Sequence, residues 1–267
     1  MKRAMALAAV LLLVVGPASA SAQSAAQVQQ LAKARQAYNQ SRFDDALAAG
    51  TEALKAPALA PAAAIVLGRT YLEKFRANGD GINLQMAHQL LGQVDGGPLM
   101  PREQHDLRVG LGMTVFYEGR PGAAAELLDV ALSTPRVVLS DELGARDKLF
   151  DWWATALDRA AQLVPEHARV EYYARIVTRS EAELAHDPTS VAASYWLAAG
   201  ARGAGQLDRA WHAAIAAWIR AKSARTDIAQ LVEIAIIPER ARALDTRDTA
   251  ALVAAMRAEW EQIKSSW

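Results

Sequence analysis

The chain of 267 residues contains no cysteine, and this absence excludes several kinds of chemistry at once. Without cysteine the chain has no disulfide bonds, no thiol nucleophile and no residue that could carry a thioether-linked lipid. Aromatic residues make up only 6% of the chain, and charges of the two signs balance at 29 each. There is no basic excess of the kind that favours binding to nucleic acid, so we do not expect nucleic acid as a partner.

Recognisable catalytic motifs are also missing. The sequence has no HExxH, no GxSxG and no phosphate-binding loop, and no two of its five histidines are four residues apart. His167 and Glu171 are one helical turn apart, which is typical of an ordinary helix contact. We therefore expect no catalytic residue, no metal and no cofactor. The alternative is an α-helical envelope enzyme, hydrolytic or lytic, in which cleft carboxylates such as Glu118 or Asp151 act as acid and base.

Residues 1–22 have the pattern of an export signal. Lys2 and Arg3 precede the apolar run 4–15, and small residues follow, with cleavage sites after Ala20 or Ala22. The apolar run is shorter than the roughly 20 residues that span a bilayer. We predict a cleaved leader, no stable membrane insertion afterwards and a periplasmic protein, with secretion outside the cell as the alternative. Loss of the leader leaves 27 of the 29 basic side chains against 29 acidic ones.

The mature part, residues 23–267, is predicted to be all-α. The chain is 52% hydrophobic, dominated by alanine, leucine and valine, and alternation of period two is hard to find. Two stretches also align without a gap, each with a large apolar residue beside a small one, then a glycine and two spaced alanines. The aligned residues are Leu111-Gly112, Gly119, Ala124 and Ala131, and Leu197-Ala198, Gly205, Ala210 and Ala217. This spacing predicts pairs of antiparallel helices that meet at alanines around a tight glycine turn.

Proline and glycine punctuation predicts about five such hairpins and a closing helical cap. The first hairpin covers 28–55 with its turn at Ser41-Arg42, and the second has an expanded turn at 78–81 that we interpret as an insertion of about seven residues. The third hairpin begins at Pro101 and has its turn at 118–122. A longer hairpin follows with helices at 140–162 and 165–186, and then a well-preserved one at 189–221. Two closing helices, at 227–237 and 246–263, are separated at Pro238. We group these elements as 23–135, 140–221 and 222–267.

These residues resemble tetratricopeptide repeats (TPR), whose unit is about 34 residues long. Leu67-Gly68 with Tyr71, and the two aligned stretches, match the family pattern, whereas the tryptophan expected near the start of each unit is replaced by Ala64, Arg108 and Ser194. The resemblance implies a right-handed α-solenoid of TPR-like hairpins. It also implies a non-enzymatic scaffold or adaptor that holds a protein or peptide on its concave first-helix face.

Carried over residue by residue, the resemblance assigns the partner-binding groove to first-helix positions. They are Arg35, Tyr38, Arg69, Leu72, Asp106, Met113, Phe116, Tyr195 and Arg202. The three arginines suggest that the groove holds a carboxylate of its partner. The alternative is that these arginines are solvated surface residues.

All seven tryptophans lie between Trp152 and Trp267. One interpretation is that they pack between the longer helices. Another is that Phe150, Trp152, Trp153, Tyr172 and Tyr173 form an aromatic patch for a partner. A third is a structural role in which the tryptophan-rich half forms a homodimer interface.

Overall fold

A computed structural model describes residues 17–135, 145–244 and 248–267, and these residues form helices joined by turns, with no strand among them. The all-α prediction is confirmed for this part of the chain. The apolar run of the predicted export signal, the first residues of the helix expected from 140, and residues 245–247 lie outside the described residues. The chain divides into two compact units, Met1–Leu99 and Met100–Trp267.

The first unit contains two helical hairpins. Its helices are α1 (Pro17–Asn39), α2 (Phe43–Leu54), α3 (Ala60–Asn78) and α4 (Gly81–Gly92). Each helix contacts the next, and α1 also contacts α3. Ala34, Ala37 and Ala46 are fully buried where α1 meets α2, so the two helices can approach closely.

The turn between α3 and α4 is short, which corrects the predicted insertion. Only Gly79 and Asp80 separate the two helices, and the extra residues extend α3 instead. Gly79 ends α3 with a left-handed φ of 69°. Asp80 begins α4, because its carboxylate accepts a hydrogen bond from the Ile82 amide at 3.0 Å.

The second unit begins with three further helical pairs. They are α5 (Pro101–Tyr117) with α6 (Pro121–Leu132), α7 (Ala145–Gln162) with α8 (Glu166–His186), and α9 (Val191–Gly203) with α10 (Leu207–Arg220). Contacts join the members of each pair, α6 to α7, α8 to α9, and the first helices of successive pairs, α5 to α7 and α7 to α9. Pro101 and Pro121 each stand in the first turn of a helix, where a missing amide hydrogen costs nothing.

The alanines and glycines that define the repeat lie at close helix contacts. The marking alanines are all fully buried: Ala46, Ala53, Ala124, Ala131, Ala210 and Ala217. A Cβ on Gly68 would lie 2.5 Å from Leu91 Cγ, and one on Gly112 would lie 2.8 Å from Leu128 Cγ. The small residue of the Leu-Gly step is therefore required because a leucine of the second helix packs directly on its backbone.

The same turn joins α1 to α2, α5 to α6, and α9 to α10. Each turn has one residue of positive φ: Ser41 (57°), Gly119 (79°) and Gly205 (74°). The next amide reaches back five residues, from Arg42 to Ala37, Arg120 to Val115 and Gln206 to Ala201, at 2.9, 3.1 and 2.9 Å. This is the Schellman arrangement of a helix end, so three hairpins share one turn geometry across the two units.

The closing segment follows a 3₁₀ turn, Lys222–Ala224. It runs as α11 (Arg225–Leu231), a π-helical turn (Val232–Ile236), α12 (Ile237–Ala243) and α13 (Thr249–Ser266). The interruption expected at Pro238 is thus a π turn inside one continuous helical stretch. Pro238 has no amide hydrogen and its ring crowds the carbonyl four residues earlier, and a widened turn accommodates both.

Most tryptophans of the second unit belong to its core. Trp153, Trp196, Trp211 and Trp260 are buried, and so is Phe150. Trp152 is half-buried, with its ring edge-on to Phe116 at 5.4 Å. The packing interpretation therefore applies to Phe150 and Trp153, which cannot contribute to an exposed aromatic patch.

Candidate functional site

A cleft of about 710 Å³ opens in the second unit on the side of its first helices. Its lining comes from α7, α9, the 3₁₀ turn, α11 and the π turn. The residues are Asp147, Lys148, Asp151, Val191, Ala192, Tyr195, Trp196, Ala224, Asp227, Gln230, Leu231, Ile234 and Ala235. Helix α9 contacts both α7 and α11, so the cleft lies along three helices that are neighbours in space.

Trp196 and Asp151 join the α7 and α9 walls of the cleft. The indole Nε1 of Trp196 donates to Asp151 Oδ1 at 2.8 Å, and the Trp196 side chain is almost completely buried. Its ring also meets Tyr195 edge-on at 5.4 Å. This bond fixes the position of the Asp151 carboxylate, which is exposed at the cleft.

Asp147 has a structural task in the same wall. Its Oδ1 accepts from the Ser190 hydroxyl at 2.5 Å, and its Oδ2 accepts from the backbone amide of Val191 at 2.9 Å. A carboxylate of α7 thereby caps the amino end of α9, where amide hydrogens lack partners within the helix.

Tyr195 lines the cleft together with the aspartates. Burial raises the pKa of its phenol, and the carboxylates of Asp227, Asp158 and Asp151 raise this pKa further. Because each carboxylate disfavours a second negative charge nearby, Tyr195 remains a neutral hydroxyl at physiological pH.

The α11 side of the cleft has an apolar edge next to Asp227. Ile234 is 70% exposed, and it follows Leu231 by one turn across the start of the π turn. A side chain of this size is normally buried, and π turns occur often at functional sites. The cleft thus combines carboxylates and aromatic rings with an apolar edge.

Four of the predicted groove residues belong to the first unit. Arg35 is exposed, and Tyr38 and Arg69 are half-buried with the Arg69 guanidinium 4.8 Å from the centre of the Tyr38 ring. Leu72 is completely buried. Leu72 therefore offers no surface to a partner, because it points into the core of its unit.

The other five belong to the second unit, and only Tyr195 lines the cleft. Met113 is buried, Phe116 packs against Trp152, and the Asp106 carboxylate lies 3.9 Å from Arg102. Arg202 is already held by a carboxylate of its own chain.

Two hydrogen bonds join Arg202 to Glu239, from Nε at 2.9 Å and from Nη2 at 2.7 Å. These bonds raise the pKa of the Arg202 guanidinium. The Arg202 guanidinium thus forms an internal ion pair between α9 and α12, and its predicted role of holding the carboxylate of a partner stays a prediction.

Trp196, Asp227 and Ile234 were not predicted as site residues from the sequence. Asp151 was predicted only as an acid or base of the enzymatic alternative. Glu118, the other carboxylate of that alternative, does not line the cleft. Tyr195, which precedes Trp196 in the sequence, was among the first-helix positions that the TPR resemblance assigned to a groove. Helices α7 and α11 could not be predicted as first helices from the alanine and glycine pattern of the repeat, because neither carries it.

Comparison of the chain with family models, curated proteins and solved structures finds no match. Among the described residues no helix is long and apolar enough to cross a membrane. The same residues contain no group of three or more histidine, aspartate or glutamate side chains arranged to hold a metal ion.

Proposed function

We propose that this protein is a non-enzymatic binding module, and that its second unit captures a peptide or protein segment in the cleft formed by α7, α9 and α11. The observation that carries the proposal is the cleft itself. Tyr195 and the exposed Ile234 line it, and the helical pairs α7–α8 and α9–α10 hold two of its walls in place. A preformed site of this kind lowers the ordering cost of binding an extended segment.

We further propose that both units are stretches of a right-handed, TPR-like α-solenoid of about five hairpins. The repeated Schellman turn at Ser41, Gly119 and Gly205 supports this relation, as do the buried alanines that mark each hairpin. Repeated pairs of this sort use their first helices for binding, which is where the cleft lies. We propose export to the periplasm on the strength of the leader alone.

Binding fits the cleft better than the enzymatic alternative. Two of its three carboxylates already accept hydrogen bonds from the protein, Asp147 from the end of α9 and Asp151 from Trp196. An acid and base pair would need two carboxylates aimed at a common reacting atom. Here the charged groups are spread over α7 and α11 on an open surface, and Leu231 and Ile234 lie beside Asp227.

The experiment is a selection from a random-peptide display library on the full chain, repeated with Ile234→Ser and Leu163→Ser. The two parent side chains are 70% and 72% exposed, so neither change disturbs the core, and only Ile234 lines the cleft. We expect enriched peptides that lose about tenfold in affinity on Ile234→Ser, since burying one aliphatic side chain stabilises by about 1.5 kcal/mol. Leu163→Ser should change nothing.

Two results would contradict the proposal. One is a library that yields no specific binder. The other is a set of binders that Ile234→Ser and Leu163→Ser weaken equally. Light scattering on the same preparations separates the homo-oligomeric alternative, because a dimer interface in this cleft would dissociate on Ile234→Ser alone.

A further inference from the structure

We infer that the segment bound in this cleft presents a lysine or arginine side chain to the carboxylates of Asp151 and Asp227. The inference rests on the proposed function and adds the chemistry of the partner. It also reverses the polarity expected from the sequence, which was an acidic ligand held by arginines.

The first step is the charge of the lining. Three aspartates and one cation, Lys148, line this described surface. Asp147 is occupied by the amino end of α9, where backbone amides and the Ser190 hydroxyl compensate it. Asp151 and Asp227 then remain against the single cation Lys148, so the lining keeps an excess of negative charge and a cationic group is favoured.

Second, the carboxylate of Asp227 is not neutralised by any described residue. In the described part of the chain, Asp227 has neither a hydrogen-bond nor an ion-pair partner. The adjacent cation, Arg225, is engaged elsewhere: it donates to the carbonyls of Trp218 at 3.1 Å and Trp267 at 3.0 Å. Its guanidinium also lies 4.7 Å from the centre of the Trp218 ring.

Asp227 also interacts with the dipole of its own helix, and this interaction does not neutralise its charge. It lies in the first turn of α11, where a carboxylate interacts favourably with the helix dipole. An exposed carboxylate at a helix start still attracts a cation, because the dipole carries only about half an elementary charge.

The third step is the match between the cleft and a long basic side chain. Lysine and arginine have an apolar stem and a charged head, and they bury the stem while the head seeks a carboxylate. Leu231 and Ile234 supply apolar surface for the stem. Tyr195 adds an aromatic ring on which a cation can stack, and Asp151 and Asp227 receive the head.

The test repeats the library selection on the full chain, on Asp151→Asn with Asp227→Asn, and on Glu259→Gln. Asparagine keeps the shape of aspartate and can still accept from Trp196, so the double variant removes charge alone. Glu259 is exposed on α13 in the same unit and does not line the cleft, which makes it a control for the loss of one charge.

We expect lysine and arginine to be enriched in peptides selected on the full chain and on Glu259→Gln, and not on the double variant. For a selected peptide, replacing its basic residue by glutamine should weaken binding about fivefold. The same replacement should have no effect on binding to the double variant.

Each other outcome overturns a defined part of this account. Selected peptides that depend on Ile234 but show no basic preference, or that keep it on the double variant, would contradict the inference and leave the proposed function standing. An enrichment of acidic residues would also contradict the inference. Failure to select any peptide whose binding depends on Ile234 would contradict both the inference and the proposed function.

Discussion

At the scale of the residue, Ser41 adopts a positive φ at a turn position where the two equivalent turns have a glycine, Gly119 and Gly205. All three stand at the same place of a Schellman turn, but a side chain at positive φ costs about 1–2 kcal/mol. We expect Ser41→Gly to raise the free energy of unfolding by about 0.5 kcal/mol, since part of the gain is lost to the greater freedom of glycine in the unfolded chain.

Urea unfolding of the full chain measures this change. Ser41→Ala is the matched control, because alanine keeps the Cβ and so gains nothing from the turn. Equal stability of the glycine and alanine variants would contradict the assignment of strain to Ser41.

Single residues also show what the sequence could and could not predict about the site. Tyr195 was predicted because the TPR resemblance assigns the groove to first-helix positions, and Tyr195 lies on the first helix of a well-preserved hairpin. Arg202 was assigned to a partner because Glu239, its internal partner, comes from the closing helices outside the repeat. The pairing is tertiary, and no spacing within either helix reveals it.

At the scale of the element, the capping of α9 by Asp147 fastens one helical pair to the next. The carboxylate accepts from two amides of α9 and from the Ser190 hydroxyl, and Ser190 Oγ in turn accepts from the Ala193 amide at 3.1 Å. We expect Asp147→Ala to lower the free energy of unfolding by about 2 kcal/mol, because it leaves several partly buried donors unsatisfied.

Chemical denaturation of the full chain measures this loss of stability, with the fluorescence of the tryptophans in the second unit as the probe. Glu259→Ala serves as the control for removing a carboxylate from an exposed helix. Asp147→Ala and Ser190→Ala should also be less than additive, because the two side chains share one hydrogen bond. Full additivity would show that they act separately.

Most element boundaries were predictable because proline and glycine mark them. Helices α7 and α8 were expected at 140–162 and 165–186, and the described parts, Ala145–Gln162 and Glu166–His186, agree closely. The length of α3 and the π turn before Pro238 were missed. Glycines at 79 and 81 fit a long loop as well as a tight turn, and hydrophobic periodicity does not fix the hydrogen-bond register of a helix around proline.

At the scale of the whole molecule, the two compact units share one construction principle. In each, a hairpin alone leaves an apolar face open, and the next hairpin covers it through buried alanines and leucines. The second unit then departs from the repeat at its end. There α11 and the π turn supply the third wall of the cleft, so its binding surface depends on elements that the repeat pattern does not contain.

Hydrogen–deuterium exchange of the full chain, with and without a lysine-containing peptide from the library, locates the binding surface directly. We expect slower exchange in α7, in α9 and in residues 225–236 on peptide addition, with α13 unchanged, because the peptide covers the walls of the cleft. Protection confined to α13 or to the first unit, or no protection at a saturating peptide concentration, would contradict this expectation.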